Sequence, residues 1–133
     1  MRTKFAIAIV MTAALTLLAA DDAQYKEWMK AAAGSCGSLR KNVDAKNASG
    51  AAADAMKAHE AFSKLESYWK EKKVADAAKF AKDAADAVHH AGEQASAGKW
   101  EEAGASVKAA GATCGGCHAA HREKAADGSW KIK

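Results

Sequence analysis

Apolar and small residues recur along most of the chain at alternating steps of four and three, which is the spacing of one face of an α-helix. In the first such segment, residues 22–44, the stripe consists of Tyr25, Met29, Ala32, Cys36, Leu39 and Val43. In the second, about 50–70, it includes Met56, Phe62, Leu65 and Trp69. Similar stripes follow over about 74–97 and from residue 99 onward. The pattern therefore predicts four amphipathic helices.

Short interruptions separate these segments. "AKNASG" ends the first helix and offers Asn47 or Ser49 as an N-cap, and "SAGKW" breaks the chain again at Gly98. The sequence contains no proline and is dominated by alanine, the best helix former. No segment shows strand-like alternation, and the terminal "GSWKIK" is expected to be a frayed tail. Together these features predict an all-α fold, an antiparallel up-down four-helix bundle.

The predicted core is unusual because so many of its positions are alanine. Alanine buries little apolar area, and burial contributes only about 25 cal/mol per Å². A bundle of this size lined with alanine is expected to be marginally stable by itself. A large, flat, apolar cofactor in the interior would make up that deficit.

The N-terminus has the pattern of a cleavable secretory signal peptide. Arg2 and Lys4 precede an apolar run of 16 residues from Phe5 to Ala20, which ends in small residues. We expect cleavage after Ala20, which leaves residues 21–133 as a single domain without stable membrane insertion. An uncleaved membrane anchor is the alternative, although the run is short for a full span. Cleavage would place the mature protein in the periplasm.

The charge of the chain does not point to nucleic acid. The formal net charge is +4, and it falls to +2 once the two basic residues of the signal peptide are removed. Lysines and acidic residues are interspersed, as on an ordinary solvated surface.

The stretch "CGGCHAAHRE", residues 114–123, holds the chain's densest group of metal-binding side chains: Cys114, Cys117, His118 and His121. They lie on one helix face, but the first and last are about 10 Å apart along the axis, too far for one zinc ion. The first cysteine of a redox dithiol usually lies at the start of a helix that follows a strand. C-x-x-C-H is also the attachment signature of c-type haem. Two cysteines a turn apart can reach the two vinyl groups, and the next histidine can offer a nitrogen to iron.

The chain from residue 21 to 124 resembles the class II c-type cytochromes, the cytochrome c′ and cytochrome c-556 group. "GATCGGCHAAHRE" in the last helix and "YKEWMKAAAGSCGSLRK" in the first carry the resemblance. It implies a four-helix bundle with one covalent haem c, His118 as proximal ligand and Arg122 as the basic residue one turn later. Two positions depart from the family pattern: His121 replaces a common Tyr, and Lys26 stands where an Arg often follows the first-helix Tyr.

The function implied by the resemblance depends on the other side of the iron. In the c-556-like members a first-helix methionine is the distal ligand, and Met29 lies on the expected stripe. We therefore expect a non-enzymatic electron carrier with redox partner proteins in the periplasm, and homodimers are compatible with its small-residue surfaces. The alternatives are a five-coordinate protein that binds NO or CO and a haem-free exported C-x-x-C thiol protein.

The remaining candidate ligands have simpler interpretations. Cys36, two turns after Met29, is interpreted as a small buried hydrophobe rather than as an iron ligand or an interchain bridge. His59, His89 and His90 have no ligand role in the family and are interpreted as surface or core residues.

Overall fold

The structure, a computed structural model, describes residues 13–133, with side chains from Asp22 onward. Its helices are α1 (Ala13–Asp44), α2 (Ala48–Glu71), α3 (Ala75–Ser96) and α4 (Trp100–His121), and two short strands follow, β1 (Arg122–Lys124) and β2 (Trp130–Ile132). Each helix packs against its neighbours in sequence, and α1 also contacts α4. The predicted all-α four-helix fold is confirmed.

The first helix begins earlier than the sequence pattern indicated, since α1 starts at Ala13 rather than near Asp22. Most of the predicted signal peptide, residues 1–12, lies outside the described residues, and 13–20 are described only as helical backbone. The signal peptide therefore stays a prediction. Within residues 13–133, no helix combines the length and apolar character needed to cross a bilayer.

Each of the three interhelical loops turns the chain in the same way. One residue per loop has a left-handed backbone: Lys46 (φ 54°), Lys73 (φ 60°) and Gly98 (φ 73°). The amide after it bonds a carbonyl five residues back, the pattern of a Schellman C-cap. At the start of α2, the side chain of Asn47 accepts a hydrogen bond from the Gly50 amide at 3.2 Å, as predicted. These tight loops return each helix antiparallel to the one before.

Small residues dominate the core, as the sequence predicted. Leu39 and Val88 are the largest fully buried side chains. Where α2 meets α3 the backbones come close: a Cβ built on Gly92 would lie 2.6 Å from Cβ of Ala55. The prediction that Met56 belongs to the core is wrong, because the adjacent Ala55 takes the buried position and Met56 is 74% exposed.

The predicted frayed tail is also wrong, because the C-terminal residues form an antiparallel hairpin. Arg122 pairs with Ile132 and Lys124 with Trp130. Gly128 supplies the left-handed turn residue (φ 82°). The Arg122 guanidinium stacks on the Trp130 ring at 3.9 Å, a cation–π contact that holds the strands together.

Candidate functional site

An open cavity separates α1 from α4, which pack against each other less extensively than the other neighbouring helices. Its outer part has a volume of about 580 Å³ and is lined by both helices and the C-terminal hairpin. This size lies within the range of about 300–1,000 Å³ found for cofactor sites. A narrow inner cleft of about 30 Å³ continues from it between the helices. Both parts are lined by Tyr25, Met29, Cys117 and His118.

All six predicted site residues line this region. Cys114 lies in the inner cleft with Met29 opposite on α1. His121 and Arg122 line the outer cavity. The structure therefore brings the C-x-x-C-H motif and the predicted distal methionine to the two sides of one cavity. Cys36 lies elsewhere, in a separate cavity of about 320 Å³ that it shares with Cys114.

The three cysteines are unbridged and partly buried. Burial raises the pKa of Cys114, and burial followed by repulsion from Cys114 and Asp76 raises the pKa of Cys117. Burial and the neighbouring Cys114 raise the pKa of Cys36 to about 11. At neutral pH these groups are thiols. This environment differs from that of redox C-x-x-C pairs, whose attacking thiol has a lowered pKa.

His118 is neutral in this setting. Burial, and secondly the positive charge of Arg122, lowers the pKa of its imidazole. A neutral imidazole keeps a nitrogen lone pair, which a metal ligand needs.

An aromatic cluster that the sequence did not predict forms one wall of the inner cleft. The ring of Tyr25 lies 4.7 Å from that of Tyr68 and 5.7 Å from that of Trp69, measured between centroids. Burial, followed by Cys117, raises the pKa of Tyr25 to about 12, so its phenol stays protonated. Trp69 and Phe80 both line this cleft.

Gly116, inside the motif, makes room for Phe80. A Cβ at Gly116 would lie 2.9 Å from Cε1 of the Phe80 ring. The second glycine of "CGGC" thus allows α3 to place an aromatic ring directly against the turn of α4 that carries the two cysteines.

His121 and Arg122 join the site to the rest of the fold. Nε2 of His121 lies 2.8 Å from Oδ2 of Asp76, which links the end of α4 to the start of α3. Nε of Arg122 is buried and has no hydrogen-bond partner within the described part of the chain. Lys26, Lys30 and Lys131 also line the outer cavity, so its rim is predominantly basic.

The C-terminal hairpin lines part of this cavity, and this contribution was not predicted from the sequence. Trp130, Lys131 and Ile132 line the outer cavity, and the first and last are among the few large apolar side chains that are exposed. The signals available in the sequence were the "DG" turn pair and the alternation of apolar and basic residues in "WKIK".

The donor groups fit a haem better than a metal ion held by protein alone. Within residues 13–133, no three His, Cys, Asp or Glu side chains are arranged to hold one metal ion. A porphyrin supplies its own ring nitrogens, so the protein needs to provide only axial ligands. His118 of α4 and Met29 of α1 line the same cavity, the two thiols lie on the same helix as His118, and the basic rim can receive carboxylates. Comparison of the chain with protein-family models, curated proteins and solved structures found no match.

Proposed function

We propose that this chain is an exported, periplasmic monohaem c-type cytochrome of the class II kind, which carries electrons between partner proteins. The observation that supports this most directly is that Cys117 and His118 of "CGGCH" on α4 line the same cavity of about 580 Å³ as Met29 of α1. The predicted signal peptide supports export.

Cys114 and Cys117 would attach the haem. They lie one turn apart on the same face of α4, separated by about 4.5 Å along the helix axis. Each S–H would add across one vinyl C=C bond, with sulfur bonding to one carbon and hydrogen to the other, so that nothing would be released. Their raised pKa values keep both groups as intact thiols before attachment.

His118 and Met29 would hold the haem iron. When bound, the haem iron supplies a one-electron ferric–ferrous couple. His118 contributes a neutral imidazole from α4, and Met29 contributes a thioether from α1. Because each ligand belongs to a packed helix, its position changes little with oxidation state. A thioether ligand also raises the reduction potential.

Loading would require a local movement of the bundle. The inner cleft, about 30 Å³, has room for only one or two water molecules. We infer that α1 moves away from α4 to admit the macrocycle. The gap would open between α1 and α4 because they make the least extensive contact of the neighbouring helix pairs.

Arg122 and the lysines on the rim would receive the haem carboxylates. The buried Nε–H of Arg122 has no acceptor among the described residues, and a buried unpaired donor costs about 1–3 kcal/mol. A carboxylate at the rim would supply that acceptor. Stacking on Trp130 holds the guanidinium in place at the cavity.

The test is the mass and visible spectrum of the matured protein. We expect a denatured mass greater by one haem, and loss of that increment in the Cys114→Ala/Cys117→Ala variant. A denatured mass without haem would instead favour the exported thiol protein.

Ligation by Met29 is tested separately. We expect a low-spin wild-type spectrum that becomes high-spin in Met29→Ala, whereas Met56→Ala, at an exposed methionine, leaves it unchanged. A high-spin wild-type spectrum would refute methionine ligation and favour the five-coordinate, gas-binding alternative.

A further inference from the structure

The outer face of the α2–α3 pair carries a second group of potential metal ligands, away from the cavity described above. A depression of about 510 Å³ on this face is lined by Met56 of α2 and His89 of α3, among others. It shares no lining residue with the α1–α4 cavity. The close approach of Ala55 and Gly92 draws the two helices together at this depression.

Met56 is the most exposed of the large hydrophobic side chains in the described part of the chain, at 74%. His59 follows it by three residues and therefore lies one turn along the same side of α2. The thioether and the imidazole are thus neighbours on one helix, and the thioether has no role in the core.

His59 is oriented by the backbone of the facing helix. Its Nδ1 lies 3.1 Å from the carbonyl oxygen of Ala85. A carbonyl oxygen can only accept, so Nδ1 carries the hydrogen and, in the neutral ring, Nε2 carries the lone pair. Such a bond from the non-ligating nitrogen to a carbonyl is the usual support of a metal-binding histidine.

His89 lies across the helix seam from His59, with 5.4 Å between the ring centroids. Two imidazoles bound to one ion at about 2.1 Å, at angles of about 90–110°, would have centroids about 4.6–5.3 Å apart. The observed separation differs from that range by about a tenth of an ångström. His89 is on the surface, so its ring can turn toward the ion without displacing the core.

Negative charge next to this pair favours a cation. Oε1 of Glu93 lies 3.4 Å from Nε2 of His89, and its Oε2 lies 3.4 Å from Nδ1 of His90. The carboxylate of Asp86 interacts electrostatically with His90 and His59. The face therefore combines three imidazoles with two carboxylates.

We propose that Met56, His59 and His89 form a copper-binding site, with preference for Cu(I). Imidazole ligands suit several late transition metals, whereas a thioether selects Cu(I). In residues 13–133, no three His, Cys, Asp or Glu side chains are arranged to hold one metal ion. Met56 would supply the third donor, because it lies one turn from His59 and lines the same depression as His89. The site is independent of the haem proposal, because it shares no residue with it.

The experiment measures Cu(I) affinity of the untagged, matured full-length protein, without oxygen, by competition with a chromogenic Cu(I) chelator. The variants are compared in two backgrounds, Cys36→Ser and Cys36→Ser/Cys114→Ser/Cys117→Ser, so that competing thiols are removed whether or not haem is attached. We expect one Cu(I) per chain. Disturbing the support of a metal-binding histidine typically costs about 10–100-fold in affinity. We therefore expect His59→Ala, His89→Ala and Met56→Leu each to weaken Cu(I) binding at least about tenfold.

Two controls separate this site from general histidine binding. His90→Ala should keep wild-type Cu(I) affinity, and Met56→Leu should keep wild-type affinity for Zn²⁺, which does not need the thioether. The proposal is overturned by unchanged Cu(I) affinity in Met56→Leu or in His59→Ala. Equal losses in His90→Ala, or an equal loss of Zn²⁺ affinity in Met56→Leu, would overturn it as well.

Discussion

Replacing Gly92 by alanine would place a methyl carbon 2.6 Å from Cβ of Ala55, in the seam between α2 and α3. Carbon atoms in favourable contact are about 3.5–4.0 Å apart, so the helices would have to separate locally by about 1 Å. Neither atom can turn away, because both are Cβ atoms fixed to helical backbone. The seam is therefore expected to respond as an overpacked core.

The net effect combines two opposing terms. Overpacking of a well-packed core costs about 1–3 kcal/mol. Replacing a helical glycine by alanine raises the free energy of unfolding by about 1 kcal/mol, because alanine has the higher helix propensity. We expect Gly92→Ala to lower the free energy of unfolding by up to about 2 kcal/mol. Gly111 in α4 is the matched control, since a Cβ there meets nothing within 4 Å, and its alanine variant should gain up to about 1 kcal/mol.

Urea unfolding of the full-length protein, followed by helical circular dichroism, measures these changes as shifts of midpoint at constant slope. The double variant Ala55→Gly/Gly92→Ala moves the methyl group to the other side of the seam. It should restore stability to within about 0.5 kcal/mol of wild type, because the two propensity terms cancel. If Gly92→Ala is as stabilising as Gly111→Ala, α2 and α3 do not approach each other this closely at Gly92.

Three further predictions test other parts of the structure. Leu39→Ala should cost about 2–5 kcal/mol in urea unfolding, because Leu39 is fully buried in a core otherwise rich in alanine, and a loss below 1 kcal/mol would contradict that packing. Cys36, with its pKa raised from 9.0 to about 11, should have about a hundredfold less thiolate than an unperturbed cysteine at pH 8. Its alkylation, followed by peptide mass, should be correspondingly slow until the protein is unfolded. The hydrogen bond from His121 lowers the pKa of the Asp76 carboxyl in the folded protein. The interaction therefore stabilises the fold above the ordinary carboxyl pKa of 3.8, and this stabilisation is lost as the pH falls through the lower pKa of the folded state. Asp76→Asn should therefore make the acid-induced loss of stability shallower in urea titrations at successive pH values.

Much of the fold was predictable because it depends on local signals. Alternating steps of three and four, the absence of proline, and a cap at Asn47 all act over a few residues, and the observed helices begin and end close to the predicted positions apart from the start of α1. The hairpin was missed because its strands are only three residues long, Arg122–Lys124 and Trp130–Ile132. Its pairing depends on a stacking contact between residues eight apart in sequence, which the short alternation in "WKIK" does not by itself reveal.

The candidate site shows the same division. "CGGCH" identified Cys114, Cys117 and His118, since an attachment motif is local by nature. Met29 came from a resemblance to a family, and the structure brings it to the facing side of the same cavity. Lys131 and the aromatic partners of Tyr25 could not be found in this way, because they reach the site from other elements of the fold.

The sequence by itself determined that this chain forms four helices with an alanine-rich core and that one of them carries a C-x-x-C-H motif. Backbone hydrogen bonding and side-chain periodicity act within a few turns, so a linear pattern contains them. Only the tertiary structure decided that α1 stands apart from α4 to leave a cavity, that the C-terminal residues fold over its rim, and that Met56 lies on the surface near two histidines. These features depend on how closely particular pairs of helices can approach, and that distance is set by small residues such as Ala55 and Gly92 meeting across a seam.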